Sequence, residues 1–271
     1  MKREYIQVDK ERGIFQLTLP DERWYCKEPR EKGEVLEIRP SVTFISETYP
    51  KDHRYSRWLQ EHGLEASTFA AAKKEEGFLT HRGVAALNAG ETINYSTEFA
   101  DQDGKLRSLT ADEYAGAMSY VQWCEDEGQE RFQILGYEML VWPDIHALAA
   151  KHHKSAAYFH YGGMLDIHLL EKKTRKTWVV DCKISPAVYP SYEIQVEMYR
   201  LGVGADKAAV LLLNVKANKL KKYKFIPTER CTKRYFSLWD IWHHETEGIK
   251  PLQRDFPLSL SLAGMGIKSE C

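Results

Sequence analysis

Two strand-length apolar runs, YGGMLDIHLL and TWVVDCKIS, are joined by the charged turn that contains Lys172, Lys173, Arg175 and Lys176, and each run carries one aspartate where a half-buried strand normally keeps Val or Ile. An unpaired carboxylate inside a sheet is costly. Asp166 and Asp181 therefore need a partner, and Lys183, two residues past Asp181, supplies a cation on the same face, because strand side chains alternate. Cys182 then points into the opposite layer, leaving its backbone carbonyl as a candidate metal ligand. Two hard carboxylate oxygens, a carbonyl and waters suit magnesium or manganese, with the ammonium beside the metal-bound water and a phosphate.

The segment after Lys183 opens a helix at Pro190-Ser191, and Gln195 and Tyr199 lie one turn apart on one face. An amide and a phenol there can hold the acidic residues; a plain amphipathic helix also produces such pairs. Upstream, an Ala-rich stretch from Leu64 to about Asn88 is expected to be helical and carries His81, which by itself reads as a packed or surface residue as readily as a ligand. The run RFQILGYEMLVW is a strand whose Glu138 is either an edge-strand glutamate facing water or a third carboxylate near the site.

The scaffold signals are plainer. Residues 4–19 alternate around Asp9–Gly13 as a hairpin. Ser41 caps a short helix that breaks before Pro50, although Ser41 and Thr43 could equally contact phosphate, and a second helix runs from about His53 to a stop at Gly63. Residues 91–109 read as an exposed loop or small insertion, and Thr110–Glu113 is a capping box opening a helix to about Asp126. A buried strand over Ala208–Asn214, a lysine-rich strand to about Phe225 and a helix from about Thr228 to His244 follow, the last with Tyr235, Trp239 and Trp242 as a core stripe. The expected organisation is an N-terminal hairpin extension (1–35), a main domain (36–247) and a tail (248–271).

With 43% hydrophobic residues over 271 positions, the chain can bury a large core. It contains no apolar run of membrane-spanning length and no secretory signal, so a cytoplasmic protein without membrane association is expected. The five scattered cysteines include no CxxC pair, which points to reduced thiols and to neither a zinc nor an iron–sulfur cluster. A net charge of -1 leaves any polyanion to local basic patches, such as Lys172–Lys176 and Lys216–Lys224. The first of these joins the two strands and so lies at the end of the hairpin away from at least one of the aspartates.

Taken in order, Gly77-x-x-x-His81, Glu138, Gly163-x-x-Asp166, Asp181-x-Lys183 and Gln195-x-x-x-Tyr199 resemble the PD-(D/E)xK nuclease superfamily, in its RecB-like exonuclease branch, which includes phage exonucleases and the mitochondrial genome maintenance exonuclease. Pro40-Ser41-Val42-Thr43 extends the resemblance upstream. Leu165 stands where the family name has proline, and the cysteine cluster of the iron–sulfur members is missing. The resemblance implies an α/β, restriction-endonuclease-like core with a central mixed sheet flanked by helices. It also implies a metal-dependent deoxyribonuclease using one or two Mg or Mn ions. Its roles would fall to Asp166, Asp181 and His81 as metal ligands, Lys183 as catalytic lysine, Gln195 and Tyr199 as the helix motif, and Glu138 as an added carboxylate. The implied partner is DNA at single- or double-stranded ends, with a recombination or single-strand-binding protein as a candidate companion in a bacterial or phage-infected cell. Two alternatives stay open: a structure-specific endonuclease, and a noncatalytic DNA-binding recombination module.

Overall fold

The computed structural model describes residues 4–19, 22–29, 36–214 and 222–246. The expected tail, 248–271, and Lys216, Lys219 and Lys221 lie outside them. Strands β1 (Glu4–Asp9) and β2 (Ile14–Thr18) form the expected hairpin, its turn held by the Asp9 carboxylate accepting from the Arg12 N–H at 2.8 Å and by Gly13 at φ 65°. The hairpin is only half of the unit. Strands β3 (Arg23–Lys27) and β4 (Glu37–Pro40) continue it into a four-stranded antiparallel sheet of order β1-β2-β3-β4. The division expected at 35/36 thus falls between two strands of one sheet.

At Ser41 the chain turns into α1 (Val42–Glu47), with the Ser41 hydroxyl accepting from the Phe44 N–H as the helix cap. Helix α2 (His53–His62) and the long α3 (Ala66–Asn88) follow. The stretch expected as an exposed loop or small insertion contains a small hairpin, β5 (Glu98–Ala100) and β6 (Leu106–Ser108), because Asp101 Oδ1 gathers the N–H groups of Asp103 and Lys105 and Gly104 supplies φ 80°. Thr110 and Glu113 make the capping box of α4 (Ala111–Trp123), and a π-helical turn over Cys124–Gly128 leads to the single turn α5 (Gln129–Arg131).

The central sheet begins with β7 (Phe132–Val141), and after α6 (Ile145–His152) the chain re-enters it as β8 (Gly163–Glu171) and β9 (Thr177–Lys183). Helix α7 (Pro190–Val203) crosses over to β10 (Lys207–Leu212), which pairs parallel to β9; β11 (Lys224–Thr228) and α8 (Thr232–Glu245) complete the described chain. The order β11-β10-β9-β8-β7 is mixed, with β9 and β10 the parallel pair. The fold is therefore α/β, with a central mixed sheet flanked by helices.

Both faces of the sheet are covered, which is why β9 is apolar almost without alternation. One core joins Val179 and Val210 to Ile194 and Met198 of α7, Trp239 and Trp242 of α8, and Trp24 of the N-terminal sheet. The other packs Ile167, Val180 and Cys182 against Val84 of α3 and Tyr120 and Trp123 of α4. Backbone bonds stitch the two sheets together: the Gly162 N–H donates to Pro40 O, and the Val42 N–H donates to Gly162 O. Trp24 is fully buried, with its ring centroid 6.1 Å from that of Trp242 and 5.5 Å from that of Phe44. Trp24→Ala should therefore cost about 3–5 kcal/mol and lower one cooperative transition of the whole chain in urea; a separate early transition would show instead that the N-terminal sheet melts alone.

Candidate active site

The ends of β8 and β9 diverge just where the aspartates stand, the last ladder pair being Ile167 with Val180. Beyond it the Asp166 carboxylate replaces the ladder: its Oδ2 accepts the Cys182 N–H at 2.7 Å. Asp181 turns to the α7 side of the sheet, where Gln195 Nε2 donates to its Oδ1 at 3.1 Å and also to the Tyr199 hydroxyl at 3.3 Å. Lys183 Nζ lies 2.7 Å from Asp181 Oδ2. That ammonium is the partner of the buried Oδ2, whose second lone pair remains open to a further cation. From α3, His81 Nδ1 comes within 3.4 Å of Asp166 Oδ1.

These side chains grade from floor to mouth. Asp181 is 2% exposed, Asp166 and Lys183 20%, and His81 31%. A substrate approaching this cleft meets His81, Lys183 and Asp166 before Asp181. Burial, only partly offset by Lys183 and reinforced by Asp166, pushes the Asp181 carboxyl up to about 6. Burial acts the same way on Asp166, but His81, Lys183 and the Cys182 N–H outweigh it and hold that carboxyl below its ordinary value. Burial works against the charged forms of His81 and Lys183, yet the two carboxylates raise both. Neighbouring aspartates are thus driven apart in acidity, a pattern found where carboxylates take different roles.

The expected residues fall as follows. His81, Asp166, Asp181, Lys183, Gln195 and Tyr199 come together. The Cys182 thiol packs in the opposite core, leaving its main chain toward the site. Glu138 stands on the edge strand β7, between the pairs Tyr137–Ile167 and Met139–Leu165 and so across from Asp166, with its backbone at φ 44°. It is exposed, and among the described residues no hydrogen bond or ion pair ties it to the cleft. Loss of water and the Asp166 charge raise its carboxyl, against Arg82 and His81. The basic turn sits at the opposite end of β8 and β9, where Lys172 Nζ donates to Gln129 O.

Two contributors do not stand out in the sequence. Tyr192 lies with its ring centroid 5.3 Å from Lys183 Nζ, one helical turn before Gln195; the 192, 195, 199 spacing is the signal that could have found it. Gly163 is the second: a Cβ there would meet Tyr199 Cε1 at 2.7 Å and Val42 Cγ2 at 3.1 Å, so the glycine of Gly163-x-x-Asp166 makes room for the phenol that supports Gln195. Gly77, by contrast, faces open space.

Among the described residues no three His, Cys, Asp or Glu side chains are grouped tightly enough to enclose a metal ion. Magnesium and manganese do not require that. One or two carboxylates with waters and a phosphate oxygen suffice, and the chemistry of the adjacent Asp166 and Asp181 carboxylates, the first half-open, fits such a hard cation.

No protein-family profile and no curated protein matches the sequence. Among solved structures, the chain is similar to an alkaline exonuclease, LHK-Exo, from Laribacter hongkongensis, at a TM-score of 0.38 and 10% identity over 77% of this chain and 88% of that one. The same enzyme in complex with dAMP gives 0.39 and 11% over 79% and 91%. SSO0001 gives 0.32 and 12% over 84% and 83%. At these scores, the chemistry of the cleft has to be judged from its own side chains. Among the described residues no helix is long and apolar enough to cross a membrane.

Two outcomes test this geometry. Gly163→Ala should cost about 1–3 kcal/mol in urea denaturation, with Tyr199→Phe alone costing less, since the phenol ring and not its hydroxyl is what the methyl strikes. Asp181 binds its proton more tightly folded, at about 6, than unfolded, so its ionisation costs stability as pH rises from about 4 to 6. Asp181→Asn should therefore gain stability relative to wild type between pH 4.5 and 7.5, on the order of 2–3 kcal/mol; a difference independent of pH in calorimetric scans would contradict the raised acidity constant.

Proposed function

We propose that this protein hydrolyses phosphodiester bonds in DNA with a divalent metal ion, as an exonuclease acting on ends in recombination, repair or replication. The observation that carries the reading is the convergence of Asp166, Asp181 and Lys183 in one cleft, from adjacent strands, with Asp181 as its buried floor. Asp166 and Asp181 would hold the ion, with the Cys182 carbonyl and His81 as further donors. A bound magnesium or manganese ion would supply Lewis-acid charge and a more acidic water.

The chain's own groups do the positioning. The Cys182 N–H fixes Asp166, while Gln195, itself backed by Tyr199, fixes Asp181, so neither carboxylate has to reorganise when charge develops. The Lys183 ammonium is tethered by Asp181 and faced by Tyr192, and it can orient an attacking water and offset charge on the phosphate. His81, at the mouth, stands where it can meet the metal or a non-bridging phosphate oxygen.

With magnesium or manganese, the purified chain should degrade linear DNA and leave closed circles intact. Asp181→Asn or Lys183→Ala should lower turnover by roughly 10²–10³-fold or more, with DNA affinity in filter binding within a few-fold of wild type. Intact linear single- and double-stranded DNA in the presence of either metal would sink the proposal. Cleavage of circles would select the endonuclease reading.

A further inference from the structure

Away from the carboxylates, a cavity of about 380 Å³ opens where the carboxyl end of α7, the end of α6 and the start of α8 meet, lined among others by Lys151, His152, Arg200, Asp206, Arg230 and Thr232. Its place in the fold is fixed by Asp206, whose Oδ2 accepts the N–H and hydroxyl of Thr177, the first residue of β9, at 2.9 and 3.2 Å. Asp181 lies four residues further along the same strand, about 13 Å away at the usual rise. The two sites stand toward opposite ends of β9.

The charges of this cavity do not cancel. Arg200 is spoken for: its Nε and Nη2 take the two oxygens of Glu197 at 2.7 and 2.8 Å, and the Thr232 hydroxyl donates to the same carboxylate. Asp206 is held by Thr177, with Lys176 and Arg230 acting on it only through space. Lys151 and Arg230 have no carboxylate within ion-pair distance among the described residues, and both are exposed. Lys151, Arg200 and Arg230 against Glu197 and Asp206 leave one net positive charge. Three helix termini reach the cavity, the carboxyl ends of α6 and α7 and the amino end of α8; the first two oppose an anion and the third favours it, so the positive sign comes from the side chains. His152 reports the same field: burial first, then Lys151 and Arg200, hold its imidazole below the ordinary value.

We propose that this cavity binds a phosphate dianion, free or carried by a small molecule of mononucleotide size, between Lys151 and Arg230. An arginine fork and an ammonium flanking a partly enclosed space are the chemistry that recognises phosphate, and the volume falls within the range of small-ligand pockets. The inference does not rest on the proposed hydrolysis.

Calorimetric titration of the full chain with inorganic phosphate and, separately, with deoxyadenosine monophosphate tests it, without added metal. Both should bind saturably, and Lys151→Gln/Arg230→Gln should weaken them by about tenfold or more. Lys183→Ala should bind as wild type. Both substituted side chains are exposed, so an unchanged thermal midpoint of the double variant confirms that folding is intact. Tighter binding of the nucleotide than of phosphate would mean that the cavity walls also contact the nucleoside. The proposal falls if wild type binds neither probe, if the double variant binds as wild type does, if Lys183→Ala abolishes binding and so places it in the cleft, or if only a DNA oligonucleotide is bound.

Discussion

The pairing of Asp181 with Lys183 is the interaction on which the rest of the cleft depends. A carboxylate 2% exposed and an ammonium 2.7 Å away cannot both be taken out of water cheaply. Here the pair is kept by a shell that costs folding little: Gln195 from the crossover helix, Tyr199 behind it and Tyr192 over the ammonium. Hydrophobic residues of similar size would pack as well or better. That the buried, otherwise apolar run of β9 keeps these charges is the strongest physical argument for chemistry at this place.

The sheet and both aspartates are legible in the sequence because their pattern conflicts with simple burial. A strand flanked on both faces reads as an apolar run, and one aspartate within such a run stands out. Ser41 and Thr110 announce their helices through side chains that satisfy the first N–H groups. Helical spacing puts Gln195 and Tyr199 on one face but does not by itself mark them as part of a site. The N-terminal sheet is only half legible: the turn at Asp9–Gly13 marks β1 and β2, but RWYCK is short, buried at three successive positions and without alternation, so nothing in its pattern says strand.

What escapes the sequence are features that depend on approach between distant segments. Gly163 looks like a motif letter until Tyr199 is seen against it. Glu138 can be placed on a strand, but not in a left-handed conformation across from Asp166. The cavity between α6, α7 and α8 draws its residues from positions 151 to 232, and no local pattern links them. The spacing of chemistry along a strand is written in the chain, whereas the emptiness between helices is not.

The contact between Trp24 and Trp242 joins residues more than 200 positions apart, and Phe44 meets the same indole. Contacts of that span close large loops and form late in folding. During synthesis, the N-terminal sheet is complete long before α8 emerges to cover it, and its indole and phenyl rings remain uncovered on that side meanwhile. Because Pro40 and Val42 grip Gly162 just ahead of β8, the strand bearing Asp166 inherits this order of events. The aspartates of the cleft are thus tied, through Gly162, to packing that joins the two ends of the described chain.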